Sequence, residues 1–311
     1  VSMPTVAQDR RGFLGGSDIA AVLGISPWRT PLQLWERKVS TEPPEERPAR
    51  AVLTRGHRWE SVVAEMLVER LKSQGHDVEI VASNKRYIDP DRPYLSAEID
   101  YEIRLDGEDM ITNVELKTVH PFKASEWGEP GSDEAPVWYV AQGMHGLGVT
   151  PGERQRCIIA ALFGADELQT FTVRRDDDTI AGMRARCAAF WNLVQTGTRP
   201  EPSNLADLDR IYRGDQPEAS LIADEQLERQ YLRLRAIQQE IKAREAEFEA
   251  LEFDVKLAMK DATTLLVGER AAINWKSRDH SWLDQQALKE QEPKIHRALM
   301  RKAKTRVFTV K

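Results

Sequence analysis

The chain has 311 residues, enough for one large domain with an appendage, and its 41% hydrophobic content can supply a buried core. No run of about 18 apolar residues occurs, which excludes a membrane-spanning helix, and two cysteines, Cys157 and Cys187, exclude a disulfide framework or a cysteine metal cluster. The net charge of −6 argues against nucleic-acid binding only if charge is evenly spread. It is not: Lys294–Lys311 carries seven Lys or Arg and no acid, whereas Asp224–Asp254 carries nine acids against five bases.

The polar stretch Val1–Arg11 lacks the apolar centre of a secretory leader, so a cytoplasmic location is expected. Residues 12–40 read as a Gly-rich turn, a short helix capped by Ser17 or Asp18 and ended by Gly24, then a second helix opened by Thr30-Pro31. Residues 41–50 are a Pro-rich charged loop. The stripe Trp59, Val62, Val63, Met66, Leu67 predicts an amphipathic helix over 52–73. Strands are expected at 78–88, 94–104 and 110–118, the last two joined around Asp106-Gly107. A helix over 136–149, two strands within 156–174 and a helix over 179–196 follow. Residues 198–220 read as a linker. Beyond it Leu227, Leu234, Ile241, Phe248 and Val255 recur every seventh position, which predicts one long helix over about 222–262; its largely charged flanks favour a packed arm over a sustained coiled coil. The end reads as a hairpin at 264–276, a helix at 283–303 and a strand at 307–311. The expected division is a core over 1–215, an arm over 216–262 and a small α+β tail over 263–311. Trp275 and Trp282 could contact DNA but are expected to pack.

The 94–118 hairpin carries the chemistry. Alternation places Glu115 and Lys117 on one face. If Gly107-Glu108 is the loop, Asp100 lies opposite Glu115; if Asp106-Gly107 is the loop, Glu98 lies opposite and Asp100 is the diagonal neighbour. Either register gathers Asp100, Glu115 and Lys117, unless a bulge intervenes. Two carboxylates that close need a cation between them, and oxygen ligands suit Mg²⁺ or Mn²⁺. An ion beside a lysine is the equipment for phosphodiester hydrolysis. The acid-x-Lys pattern alone is common, occurring also at Glu36/Lys38, Glu240/Lys242, Asp254/Lys256 and Glu292/Lys294, but only Glu115/Lys117 lies on a strand with an acid on its hairpin partner. The competing reading is a polar sheet face with a cross-strand ion pair.

Four segments resemble the YqaJ-type viral recombinases and lambda-type alkaline exonucleases of the PD-(D/E)XK nuclease superfamily. They are Arg10–Gly24 with Ser26-Pro27-Trp28-Arg29-Thr30-Pro31; Arg55-Gly56-His57-Arg58-Trp59-Glu60; Ser96–Asp100 with Val114–Thr118; and Trp138–Gln142, running to Thr150. Order and spacing agree over roughly residues 10–200. The resemblance implies an α/β, restriction-endonuclease-like core: a central mixed sheet flanked by helices, with a C-terminal arm. It implies Asp100, Glu115 and the Leu116 carbonyl as metal ligands, and Lys117 as the catalytic lysine. It gives Glu60 to a second metal position, with His57 as the alternative, and Gln142 to positioning DNA or water. A solvated helix acid is the competing reading of Glu60. Some relatives carry a tyrosine four residues after that glutamine, where this chain has Gly146; Tyr139 is expected to pack. Arg10 and Ser17 resemble the pair that grips a terminal 5′-phosphate, with Arg11 the adjacent candidate.

What the resemblance implies is a phage- or prophage-encoded, Mg²⁺-dependent 5′-to-3′ exonuclease with two ions, which Mn²⁺ can replace. It digests one strand of linear duplex DNA to leave 3′ overhangs. It also implies a ring-shaped homotrimer and a single-strand-annealing partner protein. The rivals are an endonuclease on the same site and a catalytically idle DNA-binding scaffold.

Overall fold

The computed structural model describes residues 10–41, 51–152, 154–301 and 306–310, and only the backbone of residues 51–57. The chain divides into two compact units between Leu208 and Asp209, seven residues before the expected boundary at 215. In the first unit the helices are α1 (Gly16–Val22), α2 (Pro31–Val39), α3 (Ala51–Ser73), α4 (Val137–Val149) and α5 (Asp177–Thr196), with α6 (Leu205–Ile211) at the boundary. The strands are β1 (Val78–Ile88), β2 (Ser96–Leu105), β3 (Ile111–Val119), β4 (Arg156–Phe163) and β5 (Glu167–Arg174).

These strands form one mixed sheet in the order β1-β2-β3-β4-β5. Only β3 and β4 run parallel, because α4 carries the chain back across the sheet between them. Cys157, Ile159, Ala161 and Phe163 of β4 face the helices α1, α4 and α5, whereas Ile158, Ala160 and Leu162 face α3. Burial on both faces explains why β4 reads as an unbroken apolar run rather than an alternation. The expected α/β core with a mixed sheet flanked by helices is what the chain forms.

Three features place the site. First, Asp106 and Gly107 both take positive φ, 52° and 69°, so the β2–β3 turn is at Asp106-Gly107. Two further residues, Asp109 and Met110, loop out before pairing resumes at Arg104↔Ile111. The turn is thus that of one expected register and the pairing that of the other: Tyr101 opposes Val114, and the next positions along are Asp100 and Glu115. Second, Ala97 and Ile99 lie in the core under α4 while Ile103 and Leu105 lie in the core under α3, so β2 changes faces near Asp100. Third, α4 meets the sheet and α5 through glycines. A Cβ on Gly143 would sit 3.3 Å from Cys157 Sγ, one on Gly146 3.1 Å from Ile99 Cδ1, and one on Gly148 2.9 Å from Ile180 Cγ2. This chain therefore has no room for a tyrosine at 146.

Some expectations are corrected. The cap of α1 is Gly15, not Ser17 or Asp18; Asp18 sits at the third helical position and accepts from Gly15 N at 3.2 Å. The 198–220 stretch is not a plain linker, since α6 lies within it and buried Asp207 accepts from Thr30 Oγ1 at 2.8 Å. In the second unit α7 (Glu225–Met259) is capped by Asp224 and followed by the hairpin β6 (Thr264–Val267) and β7 (Arg270–Asn274). The expected packed arm is not seen along Leu227, Leu234, Ile241 and Phe248, which are all exposed. Pro293 breaks the expected 283–303 helix into α8 (Gln285–Gln291) and α9 (Pro293–Leu299), and residues 306–310 are not a strand. Trp275 is half-exposed with Lys256 Nζ 5.6 Å from its ring centre, and Trp282 is exposed, so neither is a core residue. Residues 1–9, the expected loop within 41–50 from residue 42 onward, and residues 302–305 lie outside the described residues.

Candidate active site

Glu115 and Lys117 project from β3 toward α4. Lys117 Nζ donates to Glu115 Oε2 at 2.9 Å, and Gln142 Nε2 of α4 donates to the same oxygen at 2.5 Å. Gln142 can come this close because α1 presents Gly16 to it, whose Cβ, if it had one, would lie 3.2 Å from Gln142 Cγ. Asp100, half-buried where β2 and β3 part, accepts from the Leu116 backbone N–H at 2.8 Å. A side-chain carboxylate thus takes the place of a ladder bond next to the last backbone pair, Tyr101↔Val114. Asp100, Glu115, Lys117 and Gln142 are brought together as expected.

The electrostatics follow from burial. Glu115 is 2% exposed, and its burial, with the nearby Asp100 charge adding, pushes its carboxyl up from 4.5 to about 7 against the pull of Lys117 and Gln142. For Lys117 burial works against the charge, but Glu115 and Asp100 outweigh it and hold the ammonium protonated well above its ordinary range. Lys117 also lies 5.5 Å from the centre of the Tyr139 ring. Tyr139, expected only to pack, both stacks on Trp127 at 5.5 Å and forms the floor beneath the lysine.

Glu60 is not assembled with these groups. Among the described residues no three His, Cys, Asp or Glu side chains converge as an ion-holding cluster. The reason is topological: α3 packs on the Val114–Leu116 face, while Glu115 turns toward α4. Glu60 does belong to the neighbourhood, since its charge, with those of Glu65 and Asp100, adds to burial in raising the Tyr101 hydroxyl. The His57 side chain lies outside the described residues.

A second cluster forms where the 13–15 segment pairs with the start of β2, through Leu14 N to Tyr94 O at 2.7 Å and Ser96 N to Leu14 O at 2.9 Å. Arg10 NH2 donates to Ser17 Oγ at 2.9 Å and lies 3.8 Å from Asp18. Lys38 Nζ, fully buried, donates to Asp18 Oδ2 at 2.8 Å and to Arg10 O at 2.7 Å. Arg29 NH1 lies 3.8 Å from Asp18, and the Arg86 guanidinium lies 4.1 Å over the Phe13 ring. Burial works to raise the Asp18 carboxyl, yet Lys38 and Arg10 hold it below its ordinary value. Arg10 and Ser17 were expected here. Lys38, Arg29 and Arg86 were not; the sequence signals were Lys38 within one of the discounted acid-x-Lys pairs and Arg29 within the resembling Ser26–Pro31 segment, where the resemblance gives it no role. Arg11 instead donates to Ser40 O at 3.0 Å. Because α1 has only seven residues, the side chains, not a helix dipole, supply the positive field.

Every residue of both clusters lies between positions 10 and 142, and that stretch matches a known family. Residues 7–153 match the family model described as the YqaJ-like viral recombinase domain. The four resembling segments named above fall within the matched stretch. A Bacillus subtilis (strain 168) protein described as uncharacterized protein YqaJ is 28% identical over 311 residues, covering 97% of this chain and 92% of that one. Among solved structures, LHK-Exo, an alkaline exonuclease from Laribacter hongkongensis, superposes with a TM-score of 0.45 at 19% identity over 61% of this chain and 91% of its own. LHK-Exo in complex with dAMP gives a TM-score of 0.45 at 18% identity, over 66% and 95% of the two chains. Among the described residues no helix is long and apolar enough to cross a membrane.

Proposed function

We propose that this chain is a Mg²⁺-dependent nuclease of phage-type recombination, digesting linear duplex DNA from the 5′ end to leave 3′ overhangs for an annealing partner protein. The observation that carries the reading is the convergence of Asp100, Glu115, Lys117 and Gln142 inside the stretch that matches the YqaJ-like recombinase model. The donors fit a hard cation. Asp100 and Glu115 offer carboxylate oxygens, with the Leu116 carbonyl as the proposed third, and a cation would offset the burial and the Asp100 charge that together raise Glu115. When bound, Mg²⁺ or Mn²⁺ supplies Lewis acidity and lowers the pKa of a ligated water. Lys117, held protonated, serves as a donor toward the scissile phosphate or the attacking water and not as the base. Gln142 orients Glu115 and is placed to do the same for water. A second ion needs Glu60 to come across from the Tyr101 side. Arg10, Ser17 and Arg29 form the proposed terminal-phosphate grip, where a guanidinium can hold two oxygens, and buried Lys38 supports it by donating to Asp18, Arg10 O and Phe13 O. A homotrimeric ring is part of the same proposal.

Incubation of linear and closed-circular duplex DNA with and without Mg²⁺ tests the reading. The expected result is Mg²⁺-dependent loss of linear DNA, faster with a 5′-phosphate than a 5′-hydroxyl, and abolished by Asp100→Ala, Glu115→Ala or Lys117→Ala without loss of fold. Cleavage of the closed circle identifies an endonuclease instead, and digestion from 3′ ends removes the grip assignment.

A further inference from the structure

Beyond Lys117 the same face of the sheet opens into a cleft of about 270 Å³ lined by Trp28, His120, Lys123, Trp127, Trp138 and Tyr139. Its walls are aromatic and mutually braced. Trp28 meets Trp138 edge-on at 5.8 Å and Tyr139 at 6.0 Å, and Trp127 stacks on Tyr139. Trp28 nevertheless stays 66% exposed, which is costly for an indole that only packs. Tyr139 links the cleft to the reacting centre, because the same ring lies beneath Lys117 Nζ. Trp28 links it to the basic cluster, because its neighbour Arg29 reaches Asp18 from the 26–30 turn.

We propose that this cleft is a nucleobase subsite that stacks the unpaired base adjoining the scissile phosphodiester. Three consecutive parts of a nucleotide strand match three adjacent features: a phosphate at the Arg10–Ser17–Arg29 cluster, a base against Trp28, and the linkage to be cut at Lys117. Aromatic faces accept any base, since every base offers a π-face, and the one lysine lining the cleft, Lys123, is ion-paired with Glu126, so the aromatic rings rather than charge would supply the recognition. The subsite rests on the nuclease reading, but stacking needs no metal, so the two can be tested apart.

The test compares fluorescein-labelled duplexes with two unpaired nucleotides at the 5′-phosphorylated end, either intact or with one abasic residue there. Binding is followed by anisotropy in EDTA, and initial cleavage rates are measured separately with Mg²⁺. Loss of the base should weaken wild-type binding about tenfold, in line with stacking energies. Trp28→Ala should weaken binding of intact DNA by a similar factor and abolish the difference between intact and abasic ends; Trp28→Phe should retain it. Circular dichroism and thermal unfolding confirm that each variant is folded, as expected for so exposed a residue. An abasic penalty unchanged in Trp28→Ala, or absent in wild type at both unpaired positions, overturns the subsite. Base-dependent binding that Trp28→Ala abolishes, with no cleavage of any DNA, would retain the subsite and refute the nuclease reading alone.

Discussion

Arg154 is the residue whose removal should cost the fold most for its size. It is 4% exposed and donates through NH1 to Glu102 at 2.8 Å and to Asn113 at 2.5 Å, and through NH2 to the Tyr87 hydroxyl at 3.0 Å. Glu102 and Asn113 are themselves opposite one another on β2 and β3, and both are fully buried. One guanidinium therefore staples the two strands two residues from the point where they part around Asp100. Arg154→Met keeps most of the volume but leaves the Glu102 carboxylate buried without a counter-charge, at a cost of about 3–5 kcal/mol. By contrast, breaking the exposed Arg156–Glu108 pair should cost less than about 1 kcal/mol. Adding Glu102→Gln to Arg154→Met should restore more than half of the loss, because the stranded charge is gone. Guanidinium denaturation followed by tryptophan fluorescence measures all three variants. The reasoning fails if Arg154→Met costs under about 1 kcal/mol, or if the double variant is no more stable than the single one.

Further outcomes are expected. Burial raises the Glu115 carboxyl, so the metal-free fold binds its proton more tightly than the unfolded chain does. That contribution is present below pH 4.5 and lost as pH rises through about 7; Glu115→Gln in EDTA should lack this decline in denaturation midpoints, and wild type should regain stability with Mg²⁺. Gly16→Ala should displace Gln142 by a few tenths of an ångström and lower nuclease activity several-fold at near-normal thermal stability, measured as initial rates on linear DNA. Burial holds the Cys157 thiol well above its ordinary value and that of Cys187 at about 12, so iodoacetamide at pH 8 should label both only as the protein unfolds. A Cys157→Ala, Cys187→Ala chain should keep most activity; serine at 157 would put a hydroxyl into the core beside Gly143.

The sequence makes legible what short-range pattern controls. Alternation on β3 pairs Glu115 with Lys117, and turn chemistry brings Asp100 to them from β2. Helices α3 and α7 announce themselves by period, and α5 ends at 196 as expected but starts at Asp177, two residues before the expected 179, on the unread cap Asp176. Long-range pairing stays hidden. Arg154 finds Glu102 across 52 positions, and Lys38 reaches Asp18 across 20, with nothing local to mark either as buried. For Glu60 the helix spacing marks a candidate ligand, while the face of the sheet on which α3 packs sets its neighbours. The Asp106-Gly107 signal located the turn correctly, but two looped residues beyond it set the register, and no dipeptide rule counts those.

The glycines of α4 bear on how this protein can change. Between most helices and sheets, side chains act as spacers that a mutation can trim or lengthen and neighbouring rotamers can absorb. At Gly143, Gly146 and Gly148 the helix rests against its neighbours with no spacer to adjust. The distance from Gln142 to Glu115 is therefore set by contact of backbone with side chain, like a ruler cut to length. A library built on the outer face of α4, for example at exposed Val137, should yield many active members. One built on those three glycines should yield almost none, and the survivors should carry second changes in Ile99 or Ile180 that restore the spacing.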